Sequence, residues 1–146
     1  MRVILAEKPS VAQSIAAVLG ANQKRNGYLQ GENDLVSWCI GHLIELAPPE
    51  IYDARYAKWR REDLPIVPSA WESVVSDGTK KQFAVLKDLL NRTDVDEVVC
   101  ATDAGREGEL IFRMVYEKTG CTKPVKRLWI SSLEAVSYTH LRAHET

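Results

Sequence analysis

The 146 residues, 45% hydrophobic and 27% charged, have an ordinary globular composition and suit one domain with a core of its own. Nineteen Lys and Arg against twenty Asp and Glu leave a formal charge of −1, so composition lacks the basic excess that usually marks a nucleic-acid binder. Three cysteines without close pairing exclude a disulfide framework or a zinc site and predict a reducing, cytoplasmic setting, and no apolar run reaches membrane-spanning length. The cations cluster at Lys58, Arg60 and Arg61, at Lys80 and Lys81, and at Lys123, Lys126 and Arg127. Taken singly, each cluster reads as a solvated face.

In chain order, Val3 to Ala6 is a short apolar run that predicts a buried strand. Pro9 suits a first helical turn, Val11, Ile15, Val18 and Leu19 recur at helical spacing, and Gly20 is a natural stop. Tyr28–Gln30 and Leu35–Ile40 read as strands around the turn Gly31-Glu32-Asn33-Asp34. The stretch from Ala47 to Trp71, rich in Pro and aromatics, predicts an ordered but irregular excursion. Thr79 to Asn91 carries a helical stripe of Phe83, Leu86, Leu89 and Leu90. Glu97 to Ala101 predicts a second buried strand, followed by Thr102 to Glu109, a helix from Leu110 to about Lys118, and a stop at Gly120. Arg127 to Ile130 reads as a last short strand. Strands alternating with helices predict an α/β fold with a mostly parallel sheet covered on both faces, plus a β-hairpin and the Pro/Trp-rich insertion. Ser137 to Thr146 fits none of this and resembles the translation of a transposon-type sequencing adapter. The domain is therefore expected to span 1–136, with 137–146 a non-native tail, and His140 and His144 carry no functional weight despite their i, i+4 spacing.

Sites in open α/β sheets form beyond the carboxyl ends of the strands. Glu7 follows the first apolar strand and Asp103 the later one, which places two acids at one sheet edge, with Glu107 and Glu109 close by. Converging carboxylates suit a hard divalent cation, and magnesium takes one or two of them together with water and substrate phosphate. Each acid has a plainer reading as a solvated or helix-capping carboxylate, and singly that reading wins. The pairing of two strand-end acids with Gly105 and Gly108, which let backbone approach a phosphate or ion, shifts the balance. The residues by themselves reach only a metal-dependent phosphate or nucleic-acid site.

The segment Ala6-Glu7-Lys8-Pro9-Ser10-Val11-Ala12 resembles the first Toprim motif of type IA DNA topoisomerases, and Ala101-Thr102-Asp103-Ala104-Gly105-Arg106-Glu107-Gly108-Glu109-Leu110 resembles the second. Trp38-Cys39-Ile40-Gly41-His42-Leu43, Asp63-Leu64-Pro65-Ile66 and Lys126-Arg127-Leu128-Trp129-Ile130-Ser131-Ser132 are similar to segments of the topoisomerase III kind. The likeness covers residues 1 to 136, in order. It implies a Toprim fold in an enzyme that breaks, passes and reseals single DNA strands with Mg2+. It implies that Glu7 transfers a proton and binds metal, that Asp103 and Glu107 are metal ligands, and that Lys8 faces the scissile phosphate. Arg106 would orient carboxylates or touch phosphate, and His42 would lie near the DNA path, a structural role for it being equally open. Many relatives of this kind carry Asp-x-Asp where Gly105 stands here, which moves weight to Glu107; Glu109 has a structural purpose in an early helical turn.

None of Tyr28, Tyr52, Tyr56, Tyr116 and Tyr138 stands in a nucleophile motif, so the family's tyrosine is expected in a later domain and this piece is expected to be inactive alone and monomeric. Trp38, Trp59, Trp71 and Trp129 read as core or loop anchors rather than base-stacking platforms. Another Toprim enzyme (a primase or nuclease) and a non-catalytic Toprim scaffold in DNA repair are the rival readings. The Trp38–Leu43 and Arg127–Ser132 segments speak against the first, and the intact Glu7-Lys8 pair against the second.

Overall fold

The computed structural model describes residues 1–135, 137–139 and 141. Its centre is strand β1 (Arg2–Ala6), all five residues of which are buried. β1 pairs in parallel with β4 (Asp34–Trp38) on one side and with β7 (Glu97–Ala101) on the other. Beyond β7 lies β8 (Val125–Arg127), also parallel. Beyond β4 the sheet turns antiparallel through β3 (Tyr28–Gln30) and β2 (Gln23–Arg25), giving the order β2-β3-β4-β1-β7-β8. The α/β class, the parallel core and the hairpin match the sequence expectation. β2 does not follow from the sequence, because Gln-Lys-Arg has no apolar residue to mark it; it is wholly exposed and held to β3 by backbone pairing and one side-chain bond, Arg25 Nε to Gln30 Oε1 at 3.3 Å.

Alternation along β1 divides the core into two layers. Val3 and Leu5 face one layer, with Leu86, Leu89 and Leu90 of α3 (Lys80–Leu90) and Ile111, Phe112 and Val115 of α4 (Arg106–Lys118). Ile4 and Ala6 face the other, with Val11, Ala12, Ile15 and Ala16 of α1 (Pro9–Leu19). Fully burying an Ile such as Ile4 or Ile15 contributes about 1.5–3 kcal/mol, so these two layers dominate the stability of the sheet. Tyr138 and Leu141 are buried in the α1 layer as well; His140 and His144 lie outside the described residues. Gly20 ends α1 at φ 73°, a conformation only glycine adopts freely, and its N–H closes on the Ala16 carbonyl.

Several boundaries differ from expectation for identifiable reasons. Asp34 is no turn residue: it opens β4, buried, and its carboxylate takes a hydrogen bond from the buried Arg2 guanidinium. The last strand is Val125–Arg127 rather than Arg127–Ile130, because Cys100 is the final β7 residue paired with β8 and Leu128 adds only one further bond, its N–H to the Cys100 carbonyl at 3.0 Å. Helix α4 begins at Arg106, one turn before Leu110, so Arg106, Glu107 and Glu109 belong to its first turn. β5 (Ile44–Leu46) and β6 (Ser73–Val75) form a separate antiparallel pair, and the excursion between them holds a short helix, α2 (Pro49–Tyr52), and two 3₁₀ turns. Trp38 packs against the α1 layer, but Trp59, Trp71 and Trp129 are 79%, 65% and 73% exposed. For these three the anchor reading is wrong: no apolar layer lies over the loops that carry them.

Candidate functional site

Register sets the site. Ala6, the last residue of β1, pairs with Trp38 of β4 and Ala101 of β7, so the residues that follow all three strands leave the sheet at one edge. Glu7, the Gly41-His42 turn and the Thr102-Asp103 turn follow those strands there. Glu7 and Asp103, distant in sequence, come within hydrogen-bonding reach of each other. Partial burial raises the Glu7 carboxyl above its ordinary range, the Asp103 carboxylate beside it adds to the rise, and Glu107 contributes a smaller part. A hydrogen bond with the Asp103 backbone works in the opposite direction without reversing the sum.

The plainer use of these acids, as helix caps, is not what the structure shows. Lys8 occupies the cap position of α1 and Gly105 that of α4, and neither helix has a side-chain cap. Both carboxylates are therefore left for another purpose. The Asp103 peptide is fixed from three directions: the Gly105 N–H donates to its carbonyl at 2.8 Å, Arg127 Nη2 donates to the same oxygen at 2.5 Å, and Gly108 of α4 packs on it. A Cβ at Gly108 would lie 2.1 Å from the Asp103 carbonyl oxygen, so only glycine lets α4 approach this turn. Gly105, by contrast, is extended at φ −170° with open space around it and is not required by packing. The glycine whose smallness matters thus serves protein packing, not the approach of a ligand.

The remaining predicted residues divide. His42 Nε2 and Glu107 Oε1 are 3.0 Å apart, which ties the turn after β4 to the start of α4 and turns Glu107 toward the histidine. Glu109 accepts from Arg113 Nε at 2.7 Å, the structural use expected of it. Lys8 and Arg106 are exposed at the edge, and among the described residues neither cation is held by an acid. Two neighbouring carboxylates fall within the one or two that magnesium usually draws from a protein, with water and phosphate completing its shell. The pair is compatible with such an ion; among the described residues, no group of three or more His, Cys, Asp or Glu is arranged to hold a metal ion.

Residues 2–133 match the Toprim domain family. The chain belongs to that family. The curated relatives it resembles include the DNA topoisomerase 3 of Shouchella clausii (strain KSM-K16), 56% identical over 132 residues, which are 90% of this chain and 18% of the relative. The DNA topoisomerase 3 of Bacillus licheniformis is 54% identical and that of Bacillus thuringiensis (strain Al Hakam) 53%, each over 131 residues, 90% of this chain and 18% of the relative. The chain thus spans about a fifth of the length of these relatives.

This Toprim domain carries one site residue that the sequence reading passed over. Arg127, the last residue of β8, lies behind the acid turn: Nη1 donates to Thr102 Oγ1 at 3.0 Å and to Cys100 Sγ at 2.6 Å, while Nη2 holds the Asp103 carbonyl. Glu109 Oε2 is 3.9 Å from the same guanidinium. The signal was positional. A strand that ends beside the strand bearing Asp103 delivers its terminal side chain to the same edge, but in the sequence Arg127 looked like one member of a basic cluster.

Proposed function

We propose that this Toprim domain is the metal-bearing part of a type IA DNA topoisomerase of the topoisomerase III kind, acting on single-stranded DNA with Mg2+. The observation that carries the proposal is the meeting of Glu7 and Asp103 at adjacent strand ends, with neither acid spent on a helix cap. The names and identities of the relatives supply the reaction class.

The ion, when bound, supplies positive charge around a phosphodiester undergoing in-line displacement. Asp103 holds it, with Glu7 as the second carboxylate. Glu7, whose proton affinity is raised by burial and by its acidic neighbours, also suits proton exchange with the sugar oxygen that leaves and returns. Lys8, next in the chain, is exposed and free to reach the phosphate as a point charge. Arg106, free at the first turn of α4, contacts the DNA backbone beside it. Glu107 would join the acidic cluster as a further carboxylate, directly or through water, and is positioned by His42, which lines the same DNA path. The domain is read as residues 1–136 and 137–146 as an added tail; the family match ends at 133, while Tyr138 and Leu141 pack on the α1 layer.

By this reading the chain by itself neither cleaves nor relaxes DNA; it acts in one polypeptide with further domains, as a monomer in the cytoplasm. Among the described residues no helix is long and apolar enough to cross a membrane. A Mg2+ titration followed by NMR or calorimetry, on the unaltered chain and on Glu7→Gln and Asp103→Asn, tests the site. Millimolar or tighter binding that either change abolishes supports it; no binding, or unchanged binding in both variants, refutes it.

A further inference from the structure

The excursion between β5 and β6 is an arm with a defined root. Its neck is closed by Ala47 N–H on the Glu72 carbonyl at 2.9 Å and by the Glu72 N–H on Tyr52 Oη at 2.8 Å. Its root is bolted to the body: Leu43 and Ile44 are buried in one layer with Phe112, and Lys118 Nζ reaches the Ser73 carbonyl at 2.6 Å. β5 starts two residues after His42, which touches Glu107, so the arm springs from the acid edge.

Along the arm, Ala54 to Arg61 reads Ala-Arg-Tyr-Ala-Lys-Trp-Arg-Arg: four cations, two aromatic rings and no acid, in a chain of net charge −1. Arg55 is engaged locally, stacked over Tyr56 at 4.9 Å and paired with Asp53 at 3.5 Å. Lys58, Arg60 and Arg61 are exposed and unpaired among the described residues, although Glu62 and Asp63 follow immediately. Between them stands Trp59, 79% exposed, on backbone whose neighbours Lys58 and Arg60 are extended. A solvated face explains the cations but not the indole. A protein-docking patch explains the indole and an arginine beside it, but the centres of such patches are depleted in Lys and in unpaired charge, and here three unpaired cations flank the ring.

We propose that this arm is a single-stranded nucleic-acid contact, in which Trp59 stacks on an unpaired base and Lys58, Arg60 and Arg61 neutralise flanking phosphates. It rests on the reading of the domain as part of a DNA-handling enzyme and deepens it, placing a strand-holding element outside the acid site. A duplex offers Trp59 no free base face, so the arm selects unpaired strands.

The test is fluorescence anisotropy with labelled dT12 in EDTA, across a salt series, on the unaltered chain, Trp59→Ala, Trp59→Phe and the triple variant Lys58→Gln, Arg60→Gln, Arg61→Gln. The triple variant should weaken binding at least roughly tenfold and flatten the log–log salt slope by about 2, the value for three single-strand phosphates. Trp59→Ala should lose roughly 5- to 100-fold with the slope kept, and Trp59→Phe most of that less. Binding unaltered in the triple variant and Trp59→Ala, no binding of dT12 by the unaltered chain, or equal binding of a duplex overturns the proposal. So does concentration-dependent self-association that Trp59→Ala abolishes without any dT12 binding, since the arm is then a protein contact. A Mg2+ titration of the same samples separates the two readings. Mg2+ binding that needs Glu7, with no arm effect, sinks the arm alone; dT12 binding that needs the arm, with no Mg2+ binding, sinks the acid site alone.

Discussion

Gly108→Ala asks most directly whether the Asp103 turn is held by helix packing. The added Cβ would stand 2.1 Å from the Asp103 carbonyl oxygen and 2.9 Å from both its carbonyl carbon and its nitrogen. Ordinary contact distance is about 3.5 Å, so the turn and the first turn of α4 must separate by roughly 1 Å. Backbone on one side and a helix on the other leave no flexible side chain to give way. Overpacking of this kind costs about 1–3 kcal/mol or more, while Ala in place of helical Gly returns at most about 1 kcal/mol. The net loss of about 1–2 kcal/mol corresponds to a Tm lower by about 3–8 °C for a chain of this size. The same separation pulls the Asp103 carbonyl off Arg127 Nη2 and shifts its carboxylate from Glu7, so Mg2+ affinity should fall by roughly tenfold or more. Thermal melts and a Mg2+ titration measure both effects. Gly105→Ala is the control, because its Cβ meets nothing and its backbone is extended; only a cap preference of about 1 kcal/mol or less is at stake. If Gly108→Ala melts at or above the unaltered chain and titrates with Mg2+ unchanged, the packing argument is wrong.

Other perturbations separate stability from site function. Glu7→Gln removes a partly buried carboxylate crowded by Asp103 and Glu107, so the metal-free chain should gain about 0.5–2 kcal/mol in urea unfolding while losing Mg2+ binding; a less stable variant would contradict the crowding. Arg127→Lys keeps the charge but not the fork that spans Thr102 Oγ1 and the Asp103 carbonyl, and should cost about 1–3 kcal/mol and weaken Mg2+, whereas equal Mg2+ affinity would reduce Arg127 to a scaffold residue. Complete burial pushes the Cys39 thiol up to about 12 from an ordinary 9.0, so the fold favours the neutral thiol. That contribution is whole below pH 9 and is lost as pH rises toward 12, by at most about 1.4 kcal/mol per pH unit. At pH 8 Cys39 should react with a thiol reagent only as fast as the chain unfolds; prompt labelling of Cys39 would show that its site opens.

What the sequence made legible was whatever follows a period. Val3–Ala6 and Val98–Ala101 announced buried strands because unbroken apolar runs have no other stable place, and the Toprim order of strands then put Glu7 and Asp103 at one edge. The helical stripe of α3 and the Gly20 stop were readable for the same reason: spacing and φ are local properties. β2 was not legible, since an exposed three-residue strand buries no apolar side chain and takes its place from pairing with its neighbour. Asp34 was misread as a turn residue because its partner, Arg2, is remote in the sequence. Glu107 shows the same limit from the functional side: the motif marks it as a candidate ligand but does not show that the fold brings His42 to it.

The two glycines of the second motif carry this further. Three positions apart in the sequence, Gly105 and Gly108 offer one explanation, room for a ligand, and the fold assigns them different ones. Gly108 is demanded by the Asp103 peptide; Gly105 is demanded by nothing that touches it. The place where many type IA relatives carry a second acid is therefore open to a side chain here, at the cap position of α4, where an acid would meet free helix N–H groups. A Cβ at Gly105 meets no neighbour, so packing does not require glycine there. On the proposed reading, the acid pair, with the Arg127 fork behind it and Glu107 beside His42, holds the metal without a carboxylate at position 105. That makes the geometry of the Asp103 turn the most sensitive quantity in the domain, which is why a single methyl group on the facing helix is expected to register in metal binding as well as in stability.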